Sequence, residues 1–531
     1  MRATEAGRAA IVEGRATLGI ELGSTRIKAC LVGEDPSTVL ATGSFEWENQ
    51  FVDGLWTYSL DAVWSGLAEV FADLRRSVQE TYGVELTTLR SLGVSAMMHG
   101  YLAFDKDDQL LVPFRTWRNT NTGQAAAALT ALFGVNIPLR WSIAHLHQVV
   151  LEKAPHVPQI SFVTTLAGYV HWKLTGEKVL GVGDASGMFP IDSETTDYDQ
   201  AMLDAYQNLP ETSVLSAPVK DLLPRVLVAG QSAGRLLPEG AKLLDPTGAL
   251  QPGALLCPPE GDAGTGMVAT NAVAPKTGNI SAGTSIFAMV VLEHSLTSVH
   301  HELDLVTTPV GDPVAMVHCN NGASELAAWV AMFRRFADVA GSTLTTDQVY
   351  DVLFQEALTG SSDAGGLVAY NYLAGEPITG IGEGRPLFVR GPDSDFTLAN
   401  AIRAQLYGVF GTLSIGMAVL HDEGVELERM SAHGGLFRTA GVAQRFLAAA
   451  IKAPVSVAGK ASEGGAWGVA VLAAFAASES DDLATYLNDV VFRDGDVQTA
   501  HPDPEDVAGY ARFLERYRAG LAVELAATQS L

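Results

Sequence analysis

Thr17-Leu18-Gly19-Ile20-Glu21-Leu22-Gly23-Ser24-Thr25-Arg26-Ile27-Lys28-Ala29-Cys30-Leu31-Val32 reads as two short strands folded on a tight turn. Glu21 interrupts the apolar run before the turn; after it Ile27, Ala29 and Leu31 alternate with other residues, the period of a half-buried strand. Gly23-Ser24-Thr25 supplies the turn and puts small hydroxyl residues at its tip. The pattern returns where Ile280-Ser281-Ala282-Gly283-Thr284-Ser285 leads into Ile286-Phe287-Ala288-Met289-Val290-Val291. The two glycines stand 283 − 23 = 260 positions apart in a chain of 531 residues. One supersecondary unit repeated at half-length predicts two lobes on a common plan, each offering a hairpin tip to a shared cleft.

Between the hairpins the spacing predicts a helix over 60–78, a buried strand over 92–96 and a helix over 164–174 that ends near Gly176. After the second hairpin it predicts a long helix over 398–420, a strand over 430–433 and a helix over 443–451, with Gly434 and Gly435 between the last two. Strands alternating with helices make an α/β fold. The glycine-rich stretch 252–275 marks the crossover, giving domains over 17–272 and 273–531.

Composition narrows the partners. With 34 basic against 60 acidic residues the net charge is −26, a field that repels nucleic acid and anionic lipid. Three widely spaced cysteines, Cys30, Cys257 and Cys319, fit neither a disulfide framework nor a zinc site and suit a reducing cytoplasm. Neither a secretory signal nor an apolar run of membrane-spanning length is read. An anionic ligand must then be held by backbone amides, helix N-termini, a few basic side chains and a metal ion.

In order along the chain stand Gly19 to Thr25 with Lys28, Met98-His99-Gly100 followed by Trp117, Leu174-Thr175-Gly176-Glu177, and Asp184-Ala185-Ser186-Gly187. Gly261-Asp262-Ala263, Gly283-Thr284-Ser285, Gly434-Gly435 and Glu463 to Gly468 follow. Together these resemble the FGGY carbohydrate kinases, of the actin, hexokinase and Hsp70 superfamily, from about Leu18 to about Ala474. The resemblance implies two actin-like (ribonuclease H-like) domains with an interdomain cleft, in which the γ-phosphoryl group of MgATP passes to a hydroxyl of a small sugar.

Phosphoryl transfer needs amides for the phosphate oxygens, a metal and a base at the attacking hydroxyl. Gly23 and Gly283 let backbone press against a triphosphate, and Ser24, Thr25, Thr284 and Ser285 add donors. Resemblance gives Glu21, where the family usually has aspartate, the anchoring of Mg²⁺ through water. Lys28 either balances phosphate charge or is a solvated strand residue. Asp262, in a small-residue loop between the lobes, matches the family's catalytic aspartate and is the candidate base, in contact with the sugar. Met98, His99 and Gly100 resemble the xylulokinase version of the sugar side and point to a ketopentose. Trp117 follows as in xylulokinases, but Asn119 and Asn121 replace the charged residues, so xylulose and ribulose both stay open. Gly434 and Gly435 would receive adenine and the α-phosphate, with Gly464, Gly465 and Gly468 serving the same lobe.

Two other classes compete: a nucleotide-dependent regulator of the same superfamily, and a silent sugar-binding protein suggested by Glu21. Asp262 together with His99 favours the kinase. A homodimer is left open.

Overall fold

The structure is a computed structural model and describes residues 2–439, 441–458, 464–493 and 497–531. The chain packs as two units. The first comprises 1–273, 305–314 and 462–494; the second comprises 274–304, 315–461 and 495–531. Chain order and packing therefore part company. Residues 305–314 and 462–494 lie inside the range 273–531 assigned to a second domain, yet they pack with the first unit.

Each unit is built on the same plan. In the first, Thr17–Leu22 pairs antiparallel with Arg26–Val32, and Ser91–Ala96 joins it in parallel with Thr17 opposite Ser91. In the second, Thr277–Ala282 pairs antiparallel with Ile286–Val291, and Arg429–His433 joins it in parallel with Thr277 opposite Arg429. The parallel partner is reached in both cases after a long helix. Leu60–Tyr82 begins on a Ser59 side-chain cap and stops at the left-handed Gly83. Leu398–Asp422 begins on a Thr397 cap. A parallel neighbour requires such a crossover, so helix placement follows from strand order.

Leu398–Asp422 is long and apolar enough to cross a membrane by length and composition, a feature not anticipated from the sequence. It is the core helix of the second unit, buried along nearly its whole length. The helix that begins at Gly464 runs to Ala476 and lies against Thr17–Leu22. Its glycines pack it into the first unit. A Cβ on Gly465 would lie 2.2 Å from Glu21 Oε1, and one on Gly468 would lie 2.1 Å from the Thr265 carbonyl oxygen. This corrects the assignment of Gly464, Gly465 and Gly468 to the adenosine side; Glu463 lies outside the described residues.

Candidate active site

In the first hairpin, strand register places Glu21 opposite Lys28, and Lys28 Nζ lies 3.8 Å from Glu21 Oε2. Aromatic side chains hold the tip. Trp47 Nε1 donates to the Gly23 carbonyl at 2.7 Å, and the Tyr58 hydroxyl donates to the Ser24 carbonyl at 2.6 Å, their rings stacked 4.2 Å apart. Trp117 Nε1 reaches Ser24 Oγ at 3.1 Å, so the tryptophan assigned to the sugar side meets the phosphate-loop serine. Thr25 is exposed at the tip, and its carbonyl accepts from Trp47 N.

Asp262 opens the helix Asp262–Ala269 directly after the strand Glu260–Gly261, where the sequence reading expected a loop. Its Oδ1 accepts from Met98 N at 3.1 Å. Met98 and His99 follow the strand Ser91–Ala96, which pairs in parallel with Glu260–Gly261. Two strand ends thus deliver Asp262 and the Met98-His99 segment to one place, the usual location of α/β sites. His99 is buried and holds φ at +70°, with Nδ1 3.3 Å from the Gly187 carbonyl oxygen. A left-handed histidine costs backbone energy that the surrounding packing must offset. Burial, with Arg140 nearby, pushes the His99 imidazole well below its usual range, so it is neutral.

The Asn119 amide is taken up by backbone. Its Oδ1 accepts from Trp56 N at 2.9 Å, and its Nδ2 donates to the carbonyls of Trp56 at 2.8 Å and Thr116 at 3.1 Å. That amide holds two chain segments together, while Asn121 is exposed.

The first unit gathers more carboxylates than the motifs suggested. Glu260 accepts from the backbone of Gly183 at 3.2 Å and Asp184 at 2.9 Å. Asp184 Oδ2 accepts from the Thr165 hydroxyl at 2.6 Å, while its Oδ1 is buried without a partner. Burial pushes Glu260 up to about 8 and Asp184 up to about 7, each raised further by a neighbouring acid. Glu21 is pushed up to about 7 by burial, which outweighs the opposing pull of Lys28. Asp262 is also raised, chiefly by surrounding protein, with Arg140 pulling the other way. Its side chain keeps an open face to solvent, whereas Asp184 is enclosed. Arg140, a cation close enough to act on both Asp262 and His99, went unnoticed in the sequence because no motif contains it. It sits two residues before the helix Ser142–Leu151, whose Ser142 Oγ donates to the Gly100 carbonyl at 2.6 Å.

In the second unit, Gly283, Thr284 and Gly435 line a cleft of about 480 Å³. Tyr350 and Phe354 offer aromatic surface to the same space, with Arg438 beside them. That volume lies within the roughly 300–1,000 Å³ of small-molecule sites. Gly434 holds φ at +112°, and a Cβ there would lie 2.2 Å from the Ala282 carbonyl oxygen, so only glycine lets the turn approach the hairpin. A 3₁₀ turn over Gly435–Phe437 follows, ahead of the helix Val442–Ile451. Ser285 closes the tip by accepting from Gly283 N at 3.0 Å.

A strut behind this tip was also missed. Gly322 N and Ala323 N donate to the carbonyls of Thr284 and Gly283 at 2.7 and 2.8 Å. Asn371 Nδ2 donates to the Gly322 carbonyl at 2.8 Å. Asn321 Oδ1 accepts from the backbone of Leu373 and Ala374 at 2.8 and 2.9 Å, and its Nδ2 donates to Glu376 Oε2 at 3.1 Å. Burial pushes Glu376 up to about 7, and its Oε1 has no partner.

Twin hairpin-based units of this kind, one bearing a solvent-open aspartate and the other a glycine-lined cleft, are the parts of an actin-like phosphotransferase. Residues 16–248 match the N-terminal domain and residues 278–477 the C-terminal domain of the FGGY family of carbohydrate kinases. The chain belongs to that family and is an ATP-dependent sugar kinase. It is similar to a xylulose kinase of Klebsiella pneumoniae, 24% identical over 425 residues that cover 79% of this chain and 81% of the relative. Two solved structures from Lactobacillus acidophilus share its fold. A xylulose kinase has a TM-score of 0.76 at 18% identity, and a gluconate kinase has 0.76 at 17%; each alignment covers 97% of this chain and 99% of the other.

Proposed function

We propose that the protein phosphorylates a hydroxyl of a ketopentose, xylulose or ribulose, in the cytoplasm, with MgATP as donor. The observation that carries this reading is the bond from Met98 N to Asp262 Oδ1, which joins the expected base to the expected sugar segment. Asp262 takes the proton of the attacking hydroxyl as the bond to phosphorus forms. His99, neutral and fixed in place, presents its imidazole to a sugar hydroxyl. The Thr284 amide receives phosphate oxygens beside Gly283, whose missing side chain leaves them room, while Tyr350 and Phe354 flank the adenine. Gly23, Ser24, Thr25 and Lys28 act on the transferred phosphate.

The residues fit a hydrated Mg²⁺. Asp262 is close enough to raise the affinity of Glu21 for protons, which a cation near both would relieve. Among the described residues no three His, Cys, Asp or Glu side chains form a direct cage. When bound, the ion neutralises charge on the phosphates.

The choice of sugar rests on the relatives named xylulose kinase and on the Met98 to Gly100 segment, with Asn119 withdrawn from the argument. Sugar-stimulated ADP release across xylulose, ribulose, glycerol and gluconate tests the reading. Stimulation by a pentulose well above the others supports it. A preference for gluconate would place a carboxylate beside Arg140 instead and overturn the pentulose assignment.

A further inference from the structure

Trp117 stands where two lines of backbone contact meet. Two residues before it, Arg115 exchanges backbone hydrogen bonds with Tyr101 at 2.9 and 3.1 Å, directly after the Met98-His99-Gly100 segment. On either side of it, Thr116 N donates to the Trp56 carbonyl at 3.2 Å, and the Asn119 amide bonds both the N–H and the carbonyl of Trp56. Arg118 Cζ lies 3.7 Å from the centre of the Trp56 ring and braces the same turn. Trp56 belongs to the small hairpin of Gln50–Val52 with Leu55–Thr57. Trp47 before that hairpin and Tyr58 directly after it are the residues that hold the Gly23 and Ser24 carbonyls. Residues 116–119 are thus tied into the frame that fixes the first tip. The Trp117 ring itself is 37% exposed, so it is not there to fill a core. Its Nε1 donates to Ser24 Oγ at 3.1 Å.

The direction of that bond carries chemical information. An indole N–H can only donate, so Ser24 Oγ must accept, and its single proton is left for another acceptor. The surrounding backbone is committed in the same sense. The carbonyls of Gly23, Ser24 and Thr25, groups that repel an anion, are engaged by Trp47 Nε1, the Tyr58 hydroxyl and Trp47 N. We propose that Trp117 is a positioning residue for phosphoryl transfer: by donating to Ser24 Oγ it turns the Ser24 hydroxyl into a donor to the transferred phosphate. The inference rests on the kinase reading above, in which Ser24 acts on that phosphate, and it gives Trp117 this task in place of the sugar contact that resemblance implied. A serine hydroxyl left to rotate presents a lone pair as readily as its proton, whereas phosphate oxygens only accept. The donor matters most as charge spreads over the phosphoryl oxygens in the transition state, so the effect falls on kcat.

Trp117→Phe keeps an aromatic ring and deletes the donor, while Ser24→Ala deletes the hydroxyl. The two variants and their double, as full chains, are compared in kcat and KM with the sugar that most stimulates ADP release. The expected result for Trp117→Phe is a kcat about tenfold lower, the scale of one hydrogen bond to a charged group, with the sugar KM within about twofold of the parent. Ser24→Ala should lose at least as much, and the double variant should be no slower than Ser24→Ala, since both deletions remove one interaction. A tryptophan that only supports the fold would cost as much in the Ser24→Ala background as in the parent, so additive losses overturn the proposal. A raised sugar KM at unchanged kcat overturns it too, and makes Trp117 a sugar ligand. Melting curves should match the parent because the ring is largely open; if Trp117→Phe fails that control, Trp117→Leu decides. A parent that no sugar activates overturns the kinase reading and this inference together, whereas an active parent with additive variants overturns the inference alone.

Discussion

The two hairpins share a topology and differ in chemistry. In the first, Leu22 pairs with Ile27 and encloses residues 23–26; in the second, Ala282 pairs with Ile286 and encloses only 283–285. Two positions before the glycine stands Glu21 in one and Ser281 in the other; five after it, Lys28 in one and Ala288 in the other. The second tip is uncharged, and its carbonyls are pinned by the Asn320 to Ala323 segment. In the reading proposed above it takes phosphate on the Thr284 amide and the tip hydroxyls. In the same reading the first tip brings an acid toward phosphate, which is unfavourable unless a cation intervenes. On that reading one plan serves two tasks, one tip gripping the nucleotide and the other managing the charge of transfer.

The sharpest way to break this division is at Asp262. Asp262→Asn keeps shape and the acceptor for Met98 N but removes the base, so kcat should fall by about 10²–10⁴. Nucleotide affinity should stay within about twofold of the parent, because the proposed reading gives Asp262 no contact with the nucleotide. Rapid-quench kinetics with separate ADP titrations check both. Near-normal turnover would remove Asp262 from proton transfer.

A smaller effect is expected from giving the first tip the residue of the second. Glu21→Ser removes the outer-sphere carboxylate and should lower activity about 10–100-fold, the usual scale for groups that orient a metal through an intermediary. The Mg²⁺ concentration for half-maximal rate should rise with it. Strand pairing and melting should change little, because serine occupies the equivalent position on the other hairpin without disturbing it. If the metal requirement is unchanged, Glu21 serves Lys28 and not the ion.

Much of this division was legible beforehand. Hairpins, crossover helices and the strand before Gly434 showed because their periodicity is local; Leu166–Thr175 even ends on the left-handed Gly176 as its spacing suggests. What escaped were contacts between distant segments. Gly465 and Gly468 look like turn glycines until Glu21 and Thr265 are seen against them. Asn119 looks like a sugar ligand until the backbones of Trp56 and Thr116 are found to use its amide. Glu260, Arg140 and Glu376 carry no pattern at all, since a lone charged residue reads as surface until its burial is known.

The smallest effect expected concerns the strut behind the second tip. Glu376 ionises near 4.5 when exposed and near 7 in the folded chain. Between those values the folded state holds a proton that the unfolded state has released, so stability falls as pH rises through this window and levels off above it. The span of 7 − 4.5 corresponds to about 3 kcal/mol at most. Glu376→Gln has nearly the same shape, still accepts from Asn321 through its carbonyl oxygen, and cannot ionise. The variant should therefore gain stability relative to the parent on going from pH 5 to pH 8, a shift of a few degrees in the transition of the second unit. Comparing the two proteins at each pH cancels the contributions of Asp184, Glu260 and the other buried acids, which both share. Activity at pH 8 should change less than twofold, because the strut positions the Gly283 tip without touching phosphate. A melting difference that is the same at both pH values would show that Glu376 ionises as an ordinary carboxylate and that Asn321 alone holds the tip.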